Sequence, residues 1–167
     1  MTSMQVAPVW HRDLWDVAKL LAAYLLALPV GWYREREAHS VGVRTFPIVA
    51  MASCGYILLA LPMDSAAQSR VIQGMVAGIG FIGGGAILKS EGNVHGVATA
   101  ASIWNTGVLG AAVAEDRWLL AIMLSALNLF ALRVLLPLKL KLDKRRELEE
   151  SIREAERMET GGGLKPK

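Results

Sequence analysis

The sequence predicts an all-α fold, a polytopic membrane bundle of about five transmembrane helices with its N-terminus outside and a short cytoplasmic C-terminal helix. Three observations carry that prediction. Apolar residues make up 53% of the 167-residue chain, whose mean hydropathy is +0.37. They fall in blocks of roughly 18 to 20, the length that crosses about 30 Å of hydrocarbon at about 1.5 Å per residue. The segments between the blocks are short and polar, which makes successive helices antiparallel neighbours. Helices are required because every backbone polar group in lipid must find its partner within the segment.

The first span is expected over Leu14 to Trp32, and Lys89 to Gly96, Tyr33 to Gly42, Pro62 to Arg70 and Glu115 to Arg117 are the expected loops. The second span covers Val43 to Leu61, the third Val71 to Leu88, the fourth Val97 to Ala114 and the fifth Trp118 to Leu136. Pro137 favours a stop there because proline cannot continue the backbone ladder. Trp15, Trp32, Tyr33 and Trp118 fall at span ends, the depth that amphipathic rings prefer.

Lysine and arginine placement sets the orientation. Arg34, Arg36, Arg44, Lys89 and the tail cations Lys139, Lys141, Lys144, Arg145 and Arg146 gather on one side, read as cytoplasmic. Arg12, Lys19, Arg70 and Arg117 are assigned to the other side, diluted by Asp13, Asp16, Asp64, Glu115 and Asp116. Arg133 is taken as the one charge inside a span, near enough to the cytoplasmic end to snorkel. The first apolar block is too long for the core of a cleavable signal peptide.

Two regions follow, a transmembrane domain over residues 1–138 and a charged cytoplasmic tail over 139–167. In the tail, Leu148, Ile152 and Ala155 recur at helical spacing, and Glu149 precedes Arg153 by four residues in the favourable order. The basic run KLKLDKRR reads first as a positive-inside stop signal and second as a contact for anionic headgroups. Gly161 to Gly163 end that helix.

The third span is the most informative segment. It carries glycine at 74, 78, 80, 83, 84 and 85, and each costs a helix about 1 kcal/mol relative to alanine. Gly74/Gly78 and Gly80/Gly84 have the GxxxG spacing that admits another helix closely. Tight packing is the preferred reading; a broken helix lining a cavity is the alternative. GxxxG faces permit a homodimer but can equally be consumed within one chain. The segment is no nucleotide loop, since no Lys-Ser follows the glycines. In the fourth span Thr99, Ser102 and Thr106 share a face, with Asn105 near mid-membrane, and Asn128 lies in the fifth. Interhelical hydrogen bonding is the preferred role, and a polar solute path the sharper alternative.

Enzyme chemistry finds little support. His11, His39 and His95 are scattered, no nucleophile–base–orienter set is present, and Cys54 sits among small apolar residues. A single cysteine rules out an internal disulfide and a cysteine-based zinc site. No acidic residue occupies the middle of a span, which weakens a proton-relay or cation-transport reading, and Asp64 alone is no magnesium site. No metal, no cofactor and no nucleic-acid partner are expected.

Three blocks, GWYREREAHSVGVRT (31–45), RVIQGMVAGIGFIGGGAILKSEGNVHG (70–96) and VATAASIWNTGVLGAAVA (97–114), together resemble the MgtC/SapB family of bacterial inner-membrane proteins, over roughly residues 14 to 136. Gly31, Arg34, Glu35, Gly42, Arg44 and Thr45 match the family's first motif, with Tyr33 in place of a glutamate. Asp64 and Arg70 match an acid before the third span and an arginine at its start. Gly78, Ile79, Gly80, Phe81, Gly83 and Gly85 match the glycine core, beside Gly84; Thr99, Ala100, Ala101 and Ser102 match the next motif, with Ala98 in place of threonine. The chain is similar to the short form, which lacks a soluble ACT-like domain.

The resemblance implies a non-enzymatic, multi-pass protein of the bacterial inner membrane. It implies links to magnesium limitation and homeostasis, acid-stress adaptation, membrane energetics and virulence. It implies action through a membrane protein partner such as the F-type ATP synthase. The alternative is a transporter or channel for magnesium, another ion or a small solute.

Overall fold

A computed structural model describes residues 9–38, 42–90, 93–135, 145, 148–149 and 151–153. The chain falls into two compact units, Met1–Leu129 and Phe130–Lys167. In the first, the helices are α1 (Val9–Ala38), α2 (Thr45–Ala60), α3 (Ser65–Gly85), α4 (Val97–Ala114) and α5, which runs from Trp118 to Phe130. Strands β1 (Leu88–Ser90) and β2 (Asn93–His95) form an antiparallel hairpin between α3 and α4, with Lys89 opposite Val94.

The all-helical character holds, and the differences from the expected spans have local causes. Alpha-helix α1 continues past Trp32 through the charged stretch to Ala38, where Arg36 stacks over the Trp32 ring at 5.2 Å. The third helix starts six residues early because Asp64 caps it: its Oδ1 accepts from the amides of Ala66 and Ala67, each at 2.9 Å. It ends at Gly85, and the expected third loop is the β1–β2 hairpin. Gly96 then turns the chain into α4 at φ 87°, where a Cβ would run into the Ala86 carbonyl.

Among the described residues two helices, α1 over His11–Arg36 and α4, are long and apolar enough to cross a membrane; α2 and the segment Trp118–Val134 are apolar but shorter. Helix α4 is central, touching α1, α2 and α3, and ten of its eighteen residues are buried. Its glycines make that possible. A Cβ on Gly110 would strike the Ala50 carbonyl of α2, and one on Gly107 would strike the Ile79 side chain of α3. Phe46, Ile103, Leu109, Val30 and Val113 fill the core around them.

The second unit opens with a π-helical stretch, Ala131–Leu135, in which Arg133 is exposed. Arg145, Leu148, Glu149 and Ser151–Arg153 are helical and exposed. Pro137, most of the KLKLDKRR run, Ala155 and Gly161–Gly163 lie outside the described residues.

Candidate functional site

Apart from Ser53 of α2, the buried polar side chains described in the first unit fall into three groups, stacked along α4. At the N-terminal end of α4, Arg34 of α1 is only 6% exposed and donates from Nη2 to Thr99 Oγ1. A turn of α1 away, Gly31 lets residues 42–43 cross closely: a Cβ there would stand 3.0 Å from the Gly42 carbonyl oxygen. Glu35 Oε2 accepts from the Val43 amide at 3.0 Å, and a side chain on Gly42 would collide with Glu35. Gly31, Arg34, Glu35, Gly42 and Thr99 are thus one clasp joining α1, the turn before α2, and α4. The sequence assigns Arg34 to a polar loop; burial in the clasp corrects that.

The middle group ties α4 to α5. Ser102 Oγ donates to Asn128 Oδ1 at 2.9 Å, and Asn128 Nδ2 reaches back to the Ser102 carbonyl at 3.5 Å. Asn105 Nδ2 donates to the Leu124 carbonyl at 3.3 Å, and Thr106 Oγ1 to the Ser102 carbonyl within its own helix at 2.7 Å. Ser125 Oγ donates to the Leu26 carbonyl of α1 at 2.7 Å, close to where Pro29 leaves the helix ladder one donor short.

The third group corrects a second assignment. Lys19 lies within α1, 5% exposed, and not on an outer polar flank, so Arg133 is not the one charge inside an expected span. Its Nζ donates to the Ala114 carbonyl at 3.0 Å and to Asp116 Oδ2 at 2.7 Å. Asp116 takes a left-handed φ of 59° after α4, which suits aspartate better than most side chains. Lys19 already stood inside the apolar run Leu14 to Trp32, and that signal was enough to mark it.

The remaining expected residues lie apart from these groups. Asp64 is a helix cap, Arg70 and Arg44 are exposed, and Thr45 opens α2 half-buried. A Cβ on Gly83 would stand 3.2 Å from the Ala100 carbonyl oxygen of α4, which makes it the one glycine of α3 in close contact among the described residues. Gly74, Gly78, Gly80, Gly84 and Gly85 would each place a Cβ in open space among the described residues. Only Ile79 and Gly83 of the 21 residues of α3 are buried. Among the described residues Gly78, Gly80 and Gly84 pack against nothing, and their face of α3 is open. Between α2 and α3 runs an apolar groove of about 580 Å³, walled by Ile48, Ser53, Tyr56, Gly74, Gly78 and Phe81 among others. Among the described residues no three His, Cys, Asp or Glu side chains are grouped to hold a metal ion.

The profile of the MgtC family matches residues 20–140. The protein SrpB of Synechococcus elongatus is 38% identical over 120 residues, 63% of this chain and 66% of that protein. The MgtC protein of Salmonella typhimurium is 34% identical over 94 residues, 56% of this chain and 41% of its own length. The MgtC protein of Brucella abortus is 33% identical over 103 residues, 61% of this chain and 43% of its own. The chain thus spans about two fifths of these MgtC proteins and just under two thirds of SrpB. No solved structure matches it.

Proposed function

The chain belongs to the MgtC family and is an MgtC-type membrane protein, and on that footing we propose that it acts without catalysis, by binding a larger membrane partner. Five spans in the bacterial inner membrane, N-terminus outside, give the frame for that action. The partner proposed is the F-type ATP synthase, and the setting is magnesium limitation or acid stress. The observation that carries the reading is the contrast between inward and outward surfaces. The buried polar side chains of α4 are bonded within the bundle, to α1, to α5 or to the helix itself. What faces outward on α3 is a glycine-rich apolar surface suited to another helix.

Transport of an ion or small solute is the second reading. Buried Lys19 favours it, because an ionisable side chain within an apolar helix is often functional. Purified protein in liposomes decides between them. Binding by contact predicts no flux of magnesium or protons and co-purification of ATP synthase subunits from native membranes. Robust flux abolished by Asn105→Leu or Lys19→Met would overturn it, as would capture that recovers no defined partner.

A further inference from the structure

The Lys19–Asp116 pair is lopsided. The lysine side chain is 6% exposed and the aspartate side chain 54%, so the cation is shut in an apolar helix while its counter-ion meets water. The same ammonium also donates to the carbonyl of Ala114, the last residue of α4. Asp116 then holds its left-handed backbone, the Arg117 amide turns back to the Ala112 carbonyl at 2.9 Å, and α5 starts at the next residue, Trp118. One lysine of α1 thus fastens the end of α4 and the entry to α5. Helix α5 has little other apolar anchorage: of its thirteen residues only Ala121 and Ser125 are buried.

The charges around the pair come from few elements. On α1, Asp16 lies half-buried one turn before Lys19, and Arg12 and Asp13 are exposed. On α2, Cys54 is fully buried, close enough for the charges of Lys19 and Asp16 to act on its thiol. In the turn, Glu115 and Arg117 are exposed. Helices α4 and α5 carry no titratable side chain. Asp116 is therefore the one carboxylate in contact with the Lys19 ammonium among the described residues.

A proton on Asp116 removes that counter-charge. An unpaired ammonium in an apolar surround must then lose its own proton, which acid opposes, or carry its charge to water. The second course is open to Lys19. It lies five residues past Leu14, about 8 Å inside the span at about 1.5 Å per residue. Side chains on a helix tilt toward its N-terminus, and a four-carbon stem can bring the charge to the membrane edge. We propose that Lys19 and Asp116 form a proton-sensitive latch. With the carboxylate charged, α1 holds the α4–α5 turn; with the carboxylate protonated, Lys19 withdraws, the Ala114 carbonyl is released and the entry to α5 moves away from α1. The inference rests on the five-span reading for its side alone: that reading puts the turn, and the source of the proton, outside.

Distances between spin labels test the latch in the full chain in liposomes. The starting chain carries Cys54→Ala, with labels at Leu14→Cys on α1 and Leu119→Cys on α5, both exposed. From about pH 7 to about pH 3, a range that spans ordinary aspartate titration, the distribution should shift reversibly to longer distances. A second pair, Leu25→Cys with Tyr56→Cys on α2, both exposed, should not change. Asp116→Asn should show the acid distribution already at neutral pH. Lys19→Met, which leaves no cation to expel, should abolish the response and keeps the test decisive if Asp116→Asn does not fold. An unchanged wild-type distance, an undiminished response in Lys19→Met, or an equal shift in the second pair would overturn the latch. Labelling of Leu119→Cys and Ser151→Cys by impermeant maleimide reports the side separately. Turn and tail on opposite faces with no acid response refutes the latch alone; turn and tail on one face with the response intact refutes the span placement alone.

Discussion

Helices α3 and α4 both carry glycine at close spacing, and the fold treats them in opposite ways. Gly107 and Gly110 of α4 are buried where a Cβ would strike Ile79 or the Ala50 carbonyl. Five of the six glycines of α3 meet nothing among the described residues. In α4, glycine is the solution to a packing problem inside one chain. In α3, it leaves a surface on which the described residues place no neighbour. A glycine pattern read from sequence therefore says that something can come close; it does not say what.

Substitutions separate the two roles, and the largest effect belongs to α4. Gly110→Leu puts a branched side chain where not even a methyl group fits, at the crossing of α4 with α2. Overpacking of this kind costs about 1–3 kcal/mol and more where backbone must move. The variant should be lost to degradation or melt far below the wild-type chain in nanodiscs. A wild-type melting curve would mean that α2 and α4 do not cross there.

Next comes the ion pair at the far end of α4. Asp116→Asn keeps a residue tolerant of the left-handed backbone and removes the charge beside buried Lys19. Leaving a buried cation without its counter-ion costs about 3 kcal/mol or more, reduced here because the Asp116 side chain is 54% exposed. Adding Lys19→Met should restore much of the loss. A double variant as unstable as Asp116→Asn alone would show that the pair is not what holds the turn.

A smaller effect is expected between α4 and α5. Ser102→Ala and Asn128→Leu, taken singly and together, should show a coupling of about 0.6 to 1.7 kcal/mol, the range for hydrogen bonds between membrane helices. Zero coupling would place these side chains in separate roles. The smallest effect belongs to α3: Phe81→Ala should leave the monomer's melting temperature unchanged, because the ring touches little of its own chain.

Much of the fold was legible because apolar length and span-end signals are local. The bounds of α4 agree to the residue with the expected span, since Gly96 and Glu115 flank it sharply. Helix α3 was placed less well because Asp64 caps it from within a stretch that composition marks as loop. The clasp of Arg34 with Thr99 was not legible at all: the two are 65 residues apart, and only the packing of α1 on α4 brings them together. Lys19 is legible inside the apolar run Leu14 to Trp32, yet a count of charges by side of the membrane assigns it to a flank. The partner of the α3 face could not be read from the sequence, for the same GxxxG spacing serves contacts within and between chains.

The contrast between the two helices is tested most directly by one variant, Gly84→Leu, measured for melting in nanodiscs and for association with its membrane partner by capture from native membranes. The account predicts wild-type melting with association lost, since the new side chain has room in the monomer and none in a close helix pair. A fall in melting temperature as large as that of Gly110→Leu, with association intact, would contradict it.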